Sequence, residues 1–91
     1  MRLRWTAPAA QDLYEIARYV RRDNPAVARK VAKKLYDGCE SLTTNPLRGR
    51  KGRIEGTREL IFPNLPYIAV YRVIDDTVGL MHFYHAARNW P

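Results

Sequence analysis

The dipeptide Asn24-Pro25 constrains the fold of this chain more than any other feature of its sequence. Proline cannot sit inside a helix, because it lacks the amide donor and its ring collides with the preceding turn. Asparagine followed by proline both stops one helix and starts another, Asn24 as the cap and Pro25 in the first helical position. On the N-terminal side Leu13, Ile16, Ala17 and Val20 recur at i, i+3, i+4 and i+7, an apolar stripe that should end near Arg22-Asp23. On the other side Val27, Val31, Leu35 and Leu42, with Ala28, Ala32 and Cys39, make a second stripe. Two amphipathic helices separated by one sharp break must fold back on each other as an antiparallel hairpin.

What surrounds the hairpin reads as strand. Leu3-Arg4-Trp5 alternates and runs into Thr6-Ala7-Pro8, a helix cap with proline in the first turn. Asn45-Pro46 ends the helical region, since a residue before proline leaves the helical basin. Gly49, Gly52 and Gly56 then punctuate a basic loop, and Ile54 to Phe62 contains the next strand. Pro63-Asn64-Leu65-Pro66 turns the chain into Tyr67-Ile68-Ala69-Val70-Tyr71-Arg72-Val73, rich in β-branched and aromatic residues. Asp75-Asp76 is a short turn before a last strand from Thr77 to Tyr84. The order β-α-α-β-β-β predicts an α+β fold: an N-terminal strand, a two-helix antiparallel hairpin, then a mainly antiparallel three-strand meander. Ninety-one residues are expected to make a single domain, 1–91. No helix is expected after the last strand, so one sheet face should stay partly open beside the basic loop, where a ligand is expected.

Sixteen Lys and Arg against nine Asp and Glu give a net charge of +7. That balance favours phosphate-bearing partners, and by charge alone it also admits acidic proteins and anionic membrane surfaces. No stretch approaches the roughly 20 apolar residues that span a bilayer, and the N-terminus lacks the apolar core of a signal peptide. A cytoplasmic protein without membrane contact is expected. The single cysteine, Cys39, has no internal disulfide partner and lies in an apolar helical pattern, which reads as a small buried hydrophobe rather than a nucleophile.

Candidate chemistry gathers in the last half of the chain. Arg48, Arg50, Lys51 and Arg53 place four cations in six residues, read either as phosphate contacts or as a solvated loop. Arg58 differs because a strand gives its guanidinium a fixed direction, suited to a phosphate whose charge grows in a transition state. RNA hydrolysis without metal needs a base for the 2′-hydroxyl, an acid for the leaving oxygen and cations between them. His85 is the natural acid or base, and Lys51 is a second candidate because three flanking arginines disfavour its protonated form. His82 and His85 are three apart on a strand, so their rings diverge, and with no further ligands nearby neither metal nor cofactor is expected. Trp90 and Tyr84 are candidates for stacking on bases, with Arg88 among the phosphate contacts.

These residues and their order resemble the RelE/ParE superfamily of bacterial toxins over nearly the whole chain. The likeness is carried by Trp5-Thr6, Asp12-Leu13, Asn45-Pro46 with its Gly-Arg loop, Gly56-Thr57-Arg58-Glu59-Leu60, Pro66-Tyr67-Ile68, Tyr71-Arg72-Val73 and His85 followed by Arg88-Asn89-Trp90-Pro91. The resemblance implies a type II toxin–antitoxin module, with the toxin held in a hetero-oligomer by a cognate antitoxin. RelE-like members cleave mRNA in the ribosomal A site without metal, using arginines, a lysine or glutamate, a histidine in some, and a terminal tyrosine. ParE-like members block DNA gyrase and lack that set. By this resemblance Arg58 looks like the strand arginine on the scissile phosphate, Lys51 like the loop lysine and His85 like the acid or base. No tyrosine follows His85, and the loop lacks the glutamate base of some relatives. The expectation is a ribosome-dependent endoribonuclease in which Arg58→Ala and His85→Ala abolish toxicity. Gyrase inhibition is the alternative, and a nonenzymatic nucleic-acid-binding module the third reading.

Overall fold

The computed structural model describes residues 1–87, and its elements follow the order of the sequence patterns. Strand β1 (Arg2–Trp5) leads into helix α1 (Ala7–Asp23), which is followed by α2 (Pro25–Glu40) and one 3-10 turn at Ser41–Thr43. Four strands follow: β2 (Arg50–Lys51), β3 (Arg58–Ile61), β4 (Tyr67–Ile74) and β5 (Thr77–His85). They form one sheet in the order β1-β5-β4-β3-β2, antiparallel throughout except that β1 runs parallel to β5. This is the α+β arrangement expected from the sequence, with one addition. The basic loop contributes β2, whose two residues Arg50 and Lys51 pair with Glu59 and Arg58.

The helix ends are fixed by the residues that mark them in the sequence. The Thr6 side chain accepts the Ala9 N–H and donates to the Leu80 carbonyl at 2.6 Å, so the residue that caps α1 also ties it to β5. Asn24 closes α1 with its backbone N–H on the Val20 carbonyl and opens α2 by accepting the Val27 N–H. A single residue thus serves both helices, and that shared cap sets the tight hairpin.

The hairpin covers one face of the sheet. Ala9, Val31, Leu35, Cys39 and Leu42 from the helical region pack on Leu60, Tyr71, Val78, Leu80 and Phe83 from the strands. Leu35, Leu42 and Leu80 are fully buried, and truncating any one of them to Ala costs about 2–5 kcal/mol by the usual core response. Trp5 is sandwiched between Tyr36 and Phe83, with ring centroids 5.9 and 5.8 Å away. The Cys39 thiol lies in this core, and burial, with the Glu40 carboxylate adding to it, pushes its pKa up to about 12. It is a core filler in both position and chemistry. On the other face Ile68, Val70 and Tyr84 form a smaller buried cluster with Met81 against it.

Both tight turns rest on residues that tolerate left-handed backbone. Asn64 has φ 65° in the turn after Phe62, and Asp75 has φ 53° between β4 and β5. Among the described residues no helix is long and apolar enough to cross a membrane.

Candidate functional site

The basic segment between Pro46 and Arg58 is shaped from below by one tyrosine. Tyr71 on β4 is fully buried, and its hydroxyl donates to the Pro46 carbonyl at 2.7 Å and accepts the Gly49 N–H at 2.8 Å. Burial pushes the Tyr71 phenol above its ordinary value, against the pull of the Gly49 N–H, Arg58 and Arg48. Gly49 has to be glycine: a Cβ there would lie 2.7 Å from the Tyr71 ring and 2.9 Å from the Glu59 carbonyl. The backbone of the loop is therefore clamped, whatever its side chains do.

Those side chains divide between the two faces of the sheet. Lys51 pairs with Arg58, and Arg58 with Tyr71, so strand alternation puts Lys51 and Arg58 on the face that carries the helices, beyond their reach. There they line a cleft of about 530 Å³ with Leu47, Ile54, Glu55 and Val73. The Arg58 guanidinium has a structural partner already, donating to the Gly49 carbonyl at 2.7 Å. Lys51 is exposed at the cleft.

Arg50 points to the opposite face, where it meets a residue that sequence reasoning passed over. Glu59 is 1 % exposed, and its Oε1 accepts from Arg50 Nη2 at 2.9 Å and Nε at 3.1 Å and from the Tyr84 hydroxyl at 3.2 Å. Its second oxygen accepts the Arg53 backbone N–H at 3.3 Å. Burial alone would raise the Glu59 pKa; the donors from Arg50, Arg53 and Tyr84 outweigh it and leave the carboxyl below its ordinary value. Tyr84 shifts up, through burial first and the Glu59 charge second. The sequence signal for this network is the alternation of Arg58-Glu59-Leu60: Leu60 enters the helix-side core, so Glu59 must face Val70 and Tyr84.

The cations proposed from the sequence as phosphate contacts therefore have varied settings. Arg48 donates to the Ser41 hydroxyl at 2.7 Å, Arg50 is paired with Glu59, and the Arg53 backbone is held by the same carboxylate. Tyr84, a candidate for base stacking, is buried with its hydroxyl on Glu59. Arg88 and Trp90 lie outside the described residues.

His85 stands elsewhere. It pairs with Tyr67 at the far end of β4, meeting that ring edge-on at 5.6 Å, and its Nδ1 accepts the Ala87 N–H at 3.1 Å. It lines a second cleft of about 760 Å³ with Asp12, Glu15, Tyr19, Tyr67 and Phe83. Because Arg58 pairs with Tyr71 and His85 with Tyr67, four positions along β4 and two strand spacings part them, about 16 Å between Cα atoms. Lys51 and Arg58 share a cleft; His85 does not join them. The His82 Nδ1 lies 3.1 Å from Asp12 Oδ2. Among the described residues no three His, Cys, Asp or Glu side chains group as metal ligands would.

Comparison with known proteins agrees with this architecture. The chain is similar to "Putative toxin Y4kP" of Sinorhizobium fredii, 39% identical over 90 residues that cover 99% of this chain and 93% of that one. It is 33% identical over 84 residues to "Toxin RelE2" of Caulobacter vibrioides, covering 92% of this chain and 93% of the relative. Among solved structures it superposes on a chain of the chromosomal ParDE toxin–antitoxin system from P. aeruginosa with a TM-score of 0.84 at 27% identity, covering 93% and 95% of the two chains. A chain of the toxin–antitoxin complex RelBE2 from Mycobacterium tuberculosis superposes with a TM-score of 0.60 at 26% identity, covering 92% and 95%. The sequence model for the ParE toxin of type II toxin–antitoxin systems matches residues 3–90, and the chain belongs to that family.

Proposed function

We propose that this toxin arrests growth by inhibiting DNA gyrase, and that a cognate antitoxin holds it inactive in a hetero-oligomer until released. One observation carries the choice of target. The three residues that the nuclease reading needs, Lys51, Arg58 and His85, are split between two clefts, with the Cα atoms of Arg58 and His85 about 16 Å apart, which argues against an acid and a phosphate clamp serving one phosphodiester. In addition, Arg58 spends its guanidinium on the Gly49 carbonyl and Arg50 on Glu59, so both cations have work in the fold itself. The ParE family match and the closer superposition on the ParDE chain, 0.84 against 0.60, support the same reading.

Ribosome-dependent mRNA cleavage is the second reading, favoured by the shared cleft of Lys51 and Arg58 and by the likeness to a relative named Toxin RelE2. The two separate in a pair of assays. Purified toxin added to gyrase, relaxed plasmid and ATP is expected to block supercoiling, while primer extension on a reporter mRNA in a purified translation system finds the message intact. Cuts in codon register that need both ribosomes and Arg58, with supercoiling undisturbed, overturn the proposal in favour of the nuclease.

A further inference from the structure

The sheet face turned away from the helices holds a second group of cations, separate from the Lys51–Arg58 cleft. Strand register sets Arg4 of β1, Gly79 of β5 and Arg72 of β4 side by side. Their chain neighbours Trp5, Leu80 and Tyr71 belong to the helix-side core, so alternation turns Arg4 and Arg72 to the opposite face. Between them Gly79 contributes no side chain. A Cβ built on it would meet only the Arg72 carbonyl, at 3.8 Å, so the two arginines flank a vacant slot whose walls are two strand spacings, about 10 Å, apart.

Among the described residues no ion-pair partner faces either arginine. Ion pairs among the described residues join Lys33 to Asp37, Arg50 to Glu59, His82 to Asp12 and the N-terminal amine to Asp76; neither Arg4 nor Arg72 takes part. The Arg72 Nε is buried and has no hydrogen-bond partner among the described residues. A buried charged donor left unmatched, where the other buried side chains among the described residues are satisfied, calls for an acceptor from outside. In a chain of net charge +7 that acceptor is an anion.

We infer that Arg4 and Arg72, with Gly79 as the floor between them, form a site for a phosphodiester of a nucleic-acid backbone. Two guanidinium forks reaching in from opposite walls address different oxygens of a tetrahedral anion, which suits phosphate better than a planar carboxylate. The glycine floor lets a bulky backbone come close to the sheet. Arg2, two residues before Arg4 and paired with Thr77, continues the positive row along β1 toward a neighbouring phosphate. The site does not depend on which macromolecule the toxin stops, so its failure would leave the gyrase proposal standing.

The test is fluorescence anisotropy with a short labelled single-stranded oligonucleotide over a range of salt. Arg4→Gln and Arg72→Gln should each weaken binding several-fold. Their combination should lower the slope of log K against log salt by about 1.4, two contacts at about 0.7 each. Gly79→Val puts a branched side chain into the slot, its Cβ about 3.8 Å from the Arg72 carbonyl, and should abolish binding, with the circular dichroism melting curve kept. Arg29→Gln removes the same charge from the exposed side of α2 and should leave affinity and slope within twofold. Undiminished binding by the Arg4/Arg72 double variant, or by folded Gly79→Val, overturns the inference. So does a loss in Arg29→Gln equal to that in Arg72→Gln, which would mean charge without a site. Loss of an acidic peptide on the same variants, with the oligonucleotide unaffected, overturns it in favour of a carboxylate partner. If Gly79→Val does not fold, the arginine variants decide.

Discussion

Asp12 on α1 accepts the backbone N–H of Phe83 on β5 at 3.0 Å, through the same oxygen that faces His82 Nδ1 at 3.1 Å. Strand β1 covers the edge of β5 only as far as Leu80, so a helix side chain satisfies a donor that the sheet leaves open. Asp12→Ala should lower stability by about 1–3 kcal/mol in urea denaturation, the usual penalty for an unmatched partly buried donor. Asp12→Asn keeps an oxygen acceptor and should lose less than half as much. Equal losses would mean that the charge opposite His82, and not the Phe83 bond, holds the helix.

Tyr71 is the next point of control, because one hydroxyl closes two backbone groups of the basic loop. Tyr71→Phe keeps the ring and deletes both bonds, and is expected to cost about 1–3 kcal/mol. Amide hydrogen exchange is the sharper readout. Gly49 should exchange much faster in the variant while Leu80 in the core keeps its protection, a local opening and not a global one.

Glu59 gives the fold an acid limb. Its folded-state pKa is depressed, so its contribution is fully present above the ordinary carboxylate value of about 4.3 and is lost as pH falls through the folded value. Glu59→Gln should therefore be clearly less stable than the parent at neutral pH, with the gap closing as the solution is taken to acid. Melting temperatures of the two proteins across that range measure it. A gap that stays constant with pH would mean that packing, and not ionisation, is the source.

The alkaline limb belongs to the tyrosines. Tyr71 and Tyr84 are both shifted up, so their contribution is complete below the ordinary phenol value of about 10 and is lost as pH rises through the folded values. Ultraviolet titration should show the phenols of Tyr71 and Tyr84 ionising above the ordinary phenol value. Tyr84→Phe should remove one late-ionising phenol.

For function, His85→Ala should leave growth arrest intact when the toxin is expressed without an antitoxin, with a melting temperature close to the parent's. His85 shares its cleft with Asp12 and Tyr67, away from the cations. Colonies that survive expression of folded His85→Ala would return the histidine to a catalytic role.

The helices, their caps and the long strands were readable from the chain because each rests on local rules. Asn24 and Pro25 mark a boundary without help from tertiary structure, and Leu35 declares itself by period. Strand β2 was not readable, since two basic residues carry no periodicity and pair only because Tyr71 pins the loop beside β3. Glu59 was missed for a related reason. A glutamate in a short strand reads as solvated, and its burial depends on Arg50 and Tyr84, 9 and 25 residues away in sequence. The separation of Arg58 from His85 likewise follows from register, which spacing along the chain does not disclose.

Thr6 and Leu80 touch across 74 residues of sequence, and among the described residues β1 has no neighbour in the sheet other than β5. During vectorial synthesis the first strand must wait, unpaired, until the last one has left the exit tunnel, while the helical hairpin between them can form at once from local contacts. The sheet surface of a nascent chain therefore takes its final shape only when the last strand has been translated.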